Sequence, residues 1–241
     1  MDTLPRFTAL CLLAFALAAH ADEEEPPLQL TTGIYSVGGA GTPSATAYDV
    51  DLRYRSDAGE AWIGAYRDRA FGMSLLRAGW VRTFELGAIR VQPTLQIASR
   101  GFLGGNLYLE TGDTWFAGAG IGRTNLRPYQ DLNFDPNDAW TLSGGYRWTE
   151  AHELSLTLIG DNRQNPDERH LHVLWRTPSA EGERLTVDVL AKRGLVSGQM
   201  IHKVGLSVGY AWPRVFARIV WDPRVNFTPR DMLRLQAGLR F

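Results

Sequence analysis

Three side chains capable of acid–base chemistry fall on neighbouring predicted strands. Thr157, His172 and Asp188 lie in segments 153–161, 169–177 and 184–193. Strand side chains alternate between two faces. With hairpins centred near residues 165 and 180, all three would lie on one face at about the same height. Asp188 could then orient His172, and His172 could activate a hydroxyl. We predict no catalytic site and keep the three only as candidates, because Thr is a poor substitute for Ser without further activation.

The pair His170 and His172 would place two imidazoles on the same strand face. With Asp161 or Asp188 as a third ligand, such a pair could hold a metal ion. Two His residues at this spacing are a signal of low specificity, so we predict no metal site. The glycine-rich segment 38–41 lacks the spacing of a phosphate-binding loop and opens no helix. We therefore predict no cofactor.

Most of the chain alternates between apolar and polar residues with period two, the pattern of half-buried strands. In segment 46–55, for example, Tyr48, Val50, Leu52 and Tyr54 oppose Asp49, Asp51, Arg53 and Arg55. The adjacent pair Leu75-Leu76 breaks the alternation, which predicts a bulge. We predict 14 strands, or 12 if two weak strands near 60–84 merge. Their bounds are 28–37, 46–55, 60–67, 71–84, 88–99, 103–110, 114–123, 139–148, 153–161, 169–177, 184–193, 200–212, 215–222 and 231–241.

The connections between these strands alternate in length. Short turns at 56–59, 85–87, 111–113, 149–152 and 212–214 alternate with connections that are mostly longer, and 124–138 is the longest. This longest connection is either a plain surface loop or a segment that folds inward as a constriction.

The N-terminus predicts export. Arg6 precedes an apolar run over 7–19, and Ala19-His20-Ala21 is a small-x-small cleavage site, so 1–21 is predicted to be a cleaved signal peptide. An acidic linker, 22–27, follows. Residues 28–241 form one predicted domain with no other segment near the ~20 apolar residues of a transmembrane helix. The single cysteine, Cys11, lies in the signal peptide, so disulfides are not expected.

The C-terminal strand has an apolar face that ends on Phe241, with Leu233, Leu235, Ala237 and Leu239 on the same face. Trp residues fall near the predicted strand ends, as in two interfacial girdles. Trp62, Trp115, Trp148, Trp175 and Trp212 lie near short turns, and Trp140 and Trp221 lie at the opposite ends.

Together with the signal peptide, these features resemble the outer-membrane β-barrels of Gram-negative bacteria. The resemblance is to the class, and no motif indicates a particular family. It implies an all-β fold, an antiparallel transmembrane β-barrel in the cell outer membrane. It also implies contact with outer-membrane lipid and recognition of Phe241 by the barrel-assembly machinery.

In such a barrel the apolar faces look outward and the polar faces line the lumen. The predicted lumen-lining residues are Asp49, Asp51, Arg53, Arg55, Arg90, Gln92, Arg147, His170, Arg176, Arg218 and Arg234. Basic groups outnumber acidic ones among the inward positions, which favours anions in a narrow pore. Alternatively, these charges pair into a network that fills the lumen.

The leading functional hypothesis is a small porin-like passive channel for small solutes or anions. One alternative is an outer-membrane lipid-modifying enzyme, an acyl hydrolase or transferase centred on His172. Barrel phospholipases and lipid A deacylases carry a His-x-Ser motif, which is absent here, so an enzyme is the weaker hypothesis. The other alternative is a non-conducting structural or adhesion barrel. A net charge of −1 gives no indication of a nucleic-acid partner.

Overall fold

The computed structural model describes residues 26–39, 42–68, 72–124, 138–161 and 167–241. The predicted signal peptide lies outside the described residues, as do 22–25 of the linker and 125–137 of the longest connection. No helix in the described ranges is long and apolar enough to cross a membrane.

The chain forms 15 strand segments, numbered here in chain order. They are β1 (Leu28–Gly39), β2 (Thr42–Ser56), β3 (Gly59–Asp68), β4 (Met73–Val81), β5 (Phe84–Leu86), β6 (Ile89–Ala98), β7 (Phe102–Thr111), β8 (Trp115–Thr124), β9 (Ala139–Thr149), β10 (His152–Asp161), β11 (Arg169–Ala180), β12 (Glu183–Val196), β13 (Gln199–Ala211), β14 (Val215–Asp222) and β15 (Asp231–Arg240).

These segments close into a barrel of 14 antiparallel strands, as the sequence predicts. The β1 strand pairs with β15 from Gln29↔Arg240 to Gly38↔Asp231, which seals the seam. The segments β4 and β5 pair with β6 in one continuous register, so together they make a single barrel strand. The 12-strand alternative is wrong, because β3 and β4 are separate strands that pair with each other along their whole length.

The barrel has apolar side chains on its outer surface and polar ones inside. Because cross-strand partners point to the same side of a sheet, the inward face can be followed from Asp51 to Gly64 and on to Arg77. The alternate residues face outward and remain exposed, for example Ile63 at 59% and Leu76 at 63%. A water-soluble barrel would bury its apolar face, so this exterior is that of a membrane barrel.

Two local expectations are wrong. Pairing between β3 and β4 passes through Leu75 and Leu76 without a register shift, so there is no bulge at that point. Leu75 simply faces the interior and is 5% exposed. Trp62 does not belong to an outer girdle either, because it is paired with the inward Arg53 and its ring lies 5.5 Å from that guanidinium.

The remaining predicted girdle tryptophans are at least partly exposed, with Trp115 74% and Trp148 50% exposed. Trp221, at the opposite end of the barrel, is also 50% exposed. Both ends of the apolar exterior therefore carry tryptophan.

Candidate functional site

A polar cavity of about 540 Å³ occupies the lumen. The inward residues of β1–β4 and of β14–β15 supply its charged wall, because alternation places every second side chain of those strands inside. Of the predicted lumen-lining residues, Asp49, Asp51, Arg53, Gln92, Arg218 and Arg234 border this cavity.

The charged wall contains more guanidinium groups than carboxylates. Asp49 and Asp51 are almost fully buried. An Arg77 guanidinium nitrogen lies 3.8 Å from Asp49 and 4.0 Å from Asp51, and one of Arg234 lies 3.7 Å from Asp49. Arg53 donates to Asp51 over 2.8 Å. Glu60 also contacts Arg53 and its neighbour Arg55, so four basic groups face three acidic ones and a positive excess of one remains.

Arg218 adds to this excess because, among the described residues, no carboxylate lies at contact distance from it. Its Nε donates a hydrogen bond to Ser207 Oγ over 2.7 Å. Within the described part of the chain, Arg218 forms no ion pair. It borders the same cavity as Arg234 and Arg77.

The other predicted basic residues are paired near the short turns. Arg53 and Arg55 both donate to Glu60, over 2.7 and 2.8 Å. Arg90 contacts Glu110 at 2.7 Å and Asp113 at 3.0 Å. These groups belong to an ion-pair network along the barrel wall.

This network continues around the barrel on β9–β11. Arg147 contacts Glu110 at 3.4 Å and Glu153 at 3.1 Å. Arg176 lies 3.8 Å from Glu153. A network of paired charges therefore lines this region, and a positive excess remains beside Arg218.

The wall opposite Arg218 is neutral and carries amides, hydroxyls and glycines. Gln92, Gln96 and Asn106 border the cavity with Thr94 and Thr141. The inward positions of β8 are Gly118, Gly120 and Gly122, by their pairing with Glu110, Tyr108 and Asn106. Inward glycines leave room in the lumen. The cavity is therefore asymmetric, with charge concentrated on one side.

The structure brings two of the three candidate catalytic residues together. His172 Nδ1 lies 3.1 Å from both carboxylate oxygens of Asp188. Thr157 is directly cross-strand from His172, but its hydroxyl makes no hydrogen bond to any described residue. The arrangement orients an imidazole without activating this hydroxyl.

His170 faces the lumen but serves packing. Its ring lies 6.3 Å from that of His172 and 5.0 Å from that of Phe227. Within the described ranges, no group of three or more His, Cys, Asp or Glu side chains is arranged to hold a metal ion.

The connection 223–230 folds into the barrel, which sequence reasoning missed. Val225, in a 3-10 turn (Val225–Phe227), is 1% exposed and joins a buried cluster with Tyr35, Tyr66 and Leu75. Lys192 contacts Asp222 and donates to the Arg224 carbonyl over 3.0 Å. The apolar cluster around Val225 occupies part of the barrel interior and so narrows the lumen. The connection 124–138, predicted to be either a plain surface loop or an inward constriction, lies mostly outside the described residues.

One sequence signal could have indicated this inward fold. Gly194 faces inward on β12, and a Cβ at that position would meet the Phe227 ring. An inward glycine opposite an apolar loop residue is a sign of close approach. Sequence reasoning also missed Arg77, because its strand neighbours on the inward face, Met73 and Leu75, are apolar. It missed Glu60 as well, which pairs with the inward Arg55.

Comparisons with known proteins show no family for this chain. No family model matches the chain, and no curated protein matches it. Solved structures of bacterial outer-membrane proteins are similar. A mutant of the Rh. blastica porin is 9% identical, with a TM-score of 0.46, covering 89% of this chain and 99% of that one.

Two further structures are similar to the same extent. Salmonella typhi OmpF is 9% identical with a TM-score of 0.49, covering 89% of this chain and 97% of that one. Vibrio cholerae OmpT is 11% identical with a TM-score of 0.46, covering 93% and 100%. At these identities and scores the functional argument rests on the chain's own strand pairing, apolar exterior and charged lumen.

Proposed function

We propose that this protein is an outer-membrane channel through which small polar solutes, and anions in preference to cations, pass by diffusion. The observation that carries the proposal is a closed barrel with an apolar exterior around a polar cavity of about 540 Å³. A lipid bilayer is the solvent that matches such an exterior, and polar lumen walls favour hydrated solutes.

The anion preference is proposed from the position of the unpaired charge. Arg218 forms no ion pair among the described residues, and Arg77 and Arg234 share two carboxylates. Excess positive charge in a narrow lumen raises the local concentration of anions. The neutral amide wall opposite supplies hydrogen bonds without opposing that field.

Conductance of the refolded chain 22–241 in a planar bilayer tests the proposal. We expect discrete current steps. Under a salt gradient, we expect a reversal potential whose sign shows greater permeability to anions than to cations. A folded barrel that shows no steps would refute the channel, and steps with cation preference would refute only the electrostatic part. The same preparation left unfolded in denaturant is the control for leakage.

The contact between His172 and Asp188 supports a second candidate, a lipid acyl hydrolase. An oriented imidazole can act as a general base. In this chain it faces the lumen rather than the lipid, since His172 lies on the inward face of β11, opposite Thr157. Release of fatty acid from phospholipid vesicles by the refolded protein, and its loss in His172→Ala, would favour this candidate.

A further inference from the structure

Three groups that can carry positive charge lie side by side on the outer surface of the barrel. Arg169 on β11 is directly opposite Arg193 on β12, and Arg193 is directly opposite His202 on β13. Each is the chain neighbour of an inward residue, such as Lys192, so all three face outward. They lie at the barrel end that carries the longer connections.

In the part of the chain that the structure describes, this row forms no ion pair. Like charges directly opposite each other destabilise a sheet. Among the described residues, Arg193 and His202 make no ion pair or side-chain hydrogen bond. Arg169 donates to the carbonyl of Glu168, over 2.6 Å. Within the described ranges, the row therefore leaves several N–H donors without an anionic partner.

An apolar surface lies directly below the row. The next outward residues on the same three strands are Leu171, Ala191 and Val204, which are paired with one another. Leu171 is 39% and Val204 55% exposed. The charged row thus marks the upper edge of the lipid-facing belt.

A tryptophan flanks the row on its other side. The Arg169 guanidinium lies 5.4 Å from the Trp140 ring. That ring covers Gly160, the residue directly opposite Arg169. Tryptophan is enriched where a membrane protein meets lipid headgroups, so Arg169 is held at the height of the headgroups.

We propose that Arg169, Arg193 and His202 bind the phosphate groups of a membrane lipid, with its acyl chains on the surface formed by Leu171, Ala191 and Val204. Neighbouring strands are about 4.8 Å apart, so the three groups span roughly 10 Å. Arginine forks bind phosphate oxygens in pairs, and an imidazole N–H adds a donor at the end. A headgroup with two phosphate monoesters fits this length.

The inference rests on the membrane placement in the proposed function. Its test is native mass spectrometry of the refolded protein in an uncharged detergent. The probes are diphosphorylated lipid A, phosphatidylcholine and inorganic phosphate. We expect retention of lipid A by the wild-type protein and at least about tenfold weaker retention by Arg169→Gln/Arg193→Gln, since an anion loses two charged partners.

Arg67→Gln is the matched control, because Arg67 lies on the outward face of β3 and its two cross-strand partners, Tyr48 and Ser74, are neutral. Its lipid A retention should equal that of the wild type. A change in electrophoretic mobility on heating confirms that each variant is folded, and His202→Ala provides a second, milder test of the row.

The inference would be overturned if the double variant retained as much lipid A as the wild type. It would also be overturned if the wild type retained phosphatidylcholine as well as lipid A, or bound inorganic phosphate alone. These results would leave the channel intact, because conductance does not involve outward residues. A wild-type chain that does not enter detergent micelles as a folded barrel would instead refute the proposed membrane function.

Discussion

Arg218 is the residue whose loss we expect to change ion selectivity most simply. Its Nε donates to Ser207 over 2.7 Å, and it forms no ion pair among the described residues. Arg53, by contrast, is already neutralised by Asp51 and Glu60. Replacing Arg218 with Gln therefore removes a charge without exposing a carboxylate at contact distance.

The size of the effect follows from Coulomb's law. An anion in water that passes about 6 Å from the guanidinium gains about 0.7 kcal/mol, and screening at 0.1 M salt reduces this to about 0.4 kcal/mol. A cation loses the same amount, so the ratio of anion to cation permeability should fall about fourfold. At 1 M salt the screening length is about 3 Å, and the change should shrink to less than about 1.5-fold.

Reversal potentials of Arg218→Gln in planar bilayers, at low and at high salt, measure this ratio. Arg218→Lys keeps the charge and should keep the wild-type ratio at both salt concentrations. If the Gln variant retained the wild-type ratio at 0.1 M, Arg218 would not face the ion path. If its ratio changed equally at 1 M, the cause would be a change in pore shape rather than in field.

One deletion and three single substitutions test other features of the protein. Deleting Phe241 should lower the amount of barrel assembled in cells. Refolding in vitro should persist, because pairing from Gln29↔Arg240 onward still closes the barrel. Normal assembly in cells would contradict the recognition of Phe241 by the barrel-assembly machinery. His172→Ala should leave conductance unchanged, and a lost lipid hydrolysis activity would instead favour the enzyme. Lys192→Met should lower the free energy of unfolding by about 3–5 kcal/mol, because it leaves Asp222 buried and without its Lys192 partner. Denaturant unfolding of the protein in vesicles measures this change. The double variant Lys192→Met/Asp222→Leu should recover most of the lost stability. Burial, reinforced by Asp161, raises the pKa of Glu168 to about 7 from 4.5. The folded state therefore binds this proton more tightly than the unfolded state, and the free energy of unfolding should fall as pH rises from about 4.5 to 7. Glu168→Gln should abolish this part of the pH dependence of thermal unfolding, and a pH dependence identical to that of the wild type would refute the prediction.

The strands were predictable because their signal is local. Alternation with period two needs only the residues of one segment, and it placed Asp49, Asp51 and Arg53 on one face before any pairing was known. The same pattern identified 14 strands, because each weak segment still carries its own alternation between turns. Trp62 was misassigned because closeness to a turn does not report which face a side chain occupies.

The ion pairs and the inward fold of 223–230 could not be predicted from the sequence, because they depend on how the barrel closes and on the register of its strands. Arg234 reaches Asp49 only once β15 and β1 have sealed the barrel. Arg77 reaches the same carboxylate from two strands away in the other direction. Val225 lies in a segment of turn-forming and polar residues, which in isolation is typical of a surface loop.

Glycines on the intervening strands explain how these charges can pair without blocking the lumen. Arg234 on β15 contacts Asp49 on β2 past Gly33 of β1, and a Cβ at Gly33 would collide with the Asp49 carboxylate. Arg77 on β4 contacts Asp51 on β2 past Gly64 of β3, where a Cβ would press on both partners. Because glycine has no side chain, each ion pair can lie flat against the barrel wall. The network therefore need not project toward the barrel axis. A charge network and an ion path are therefore compatible in this barrel. Arg218, which forms no ion pair among the described residues, is the group expected to act on passing ions.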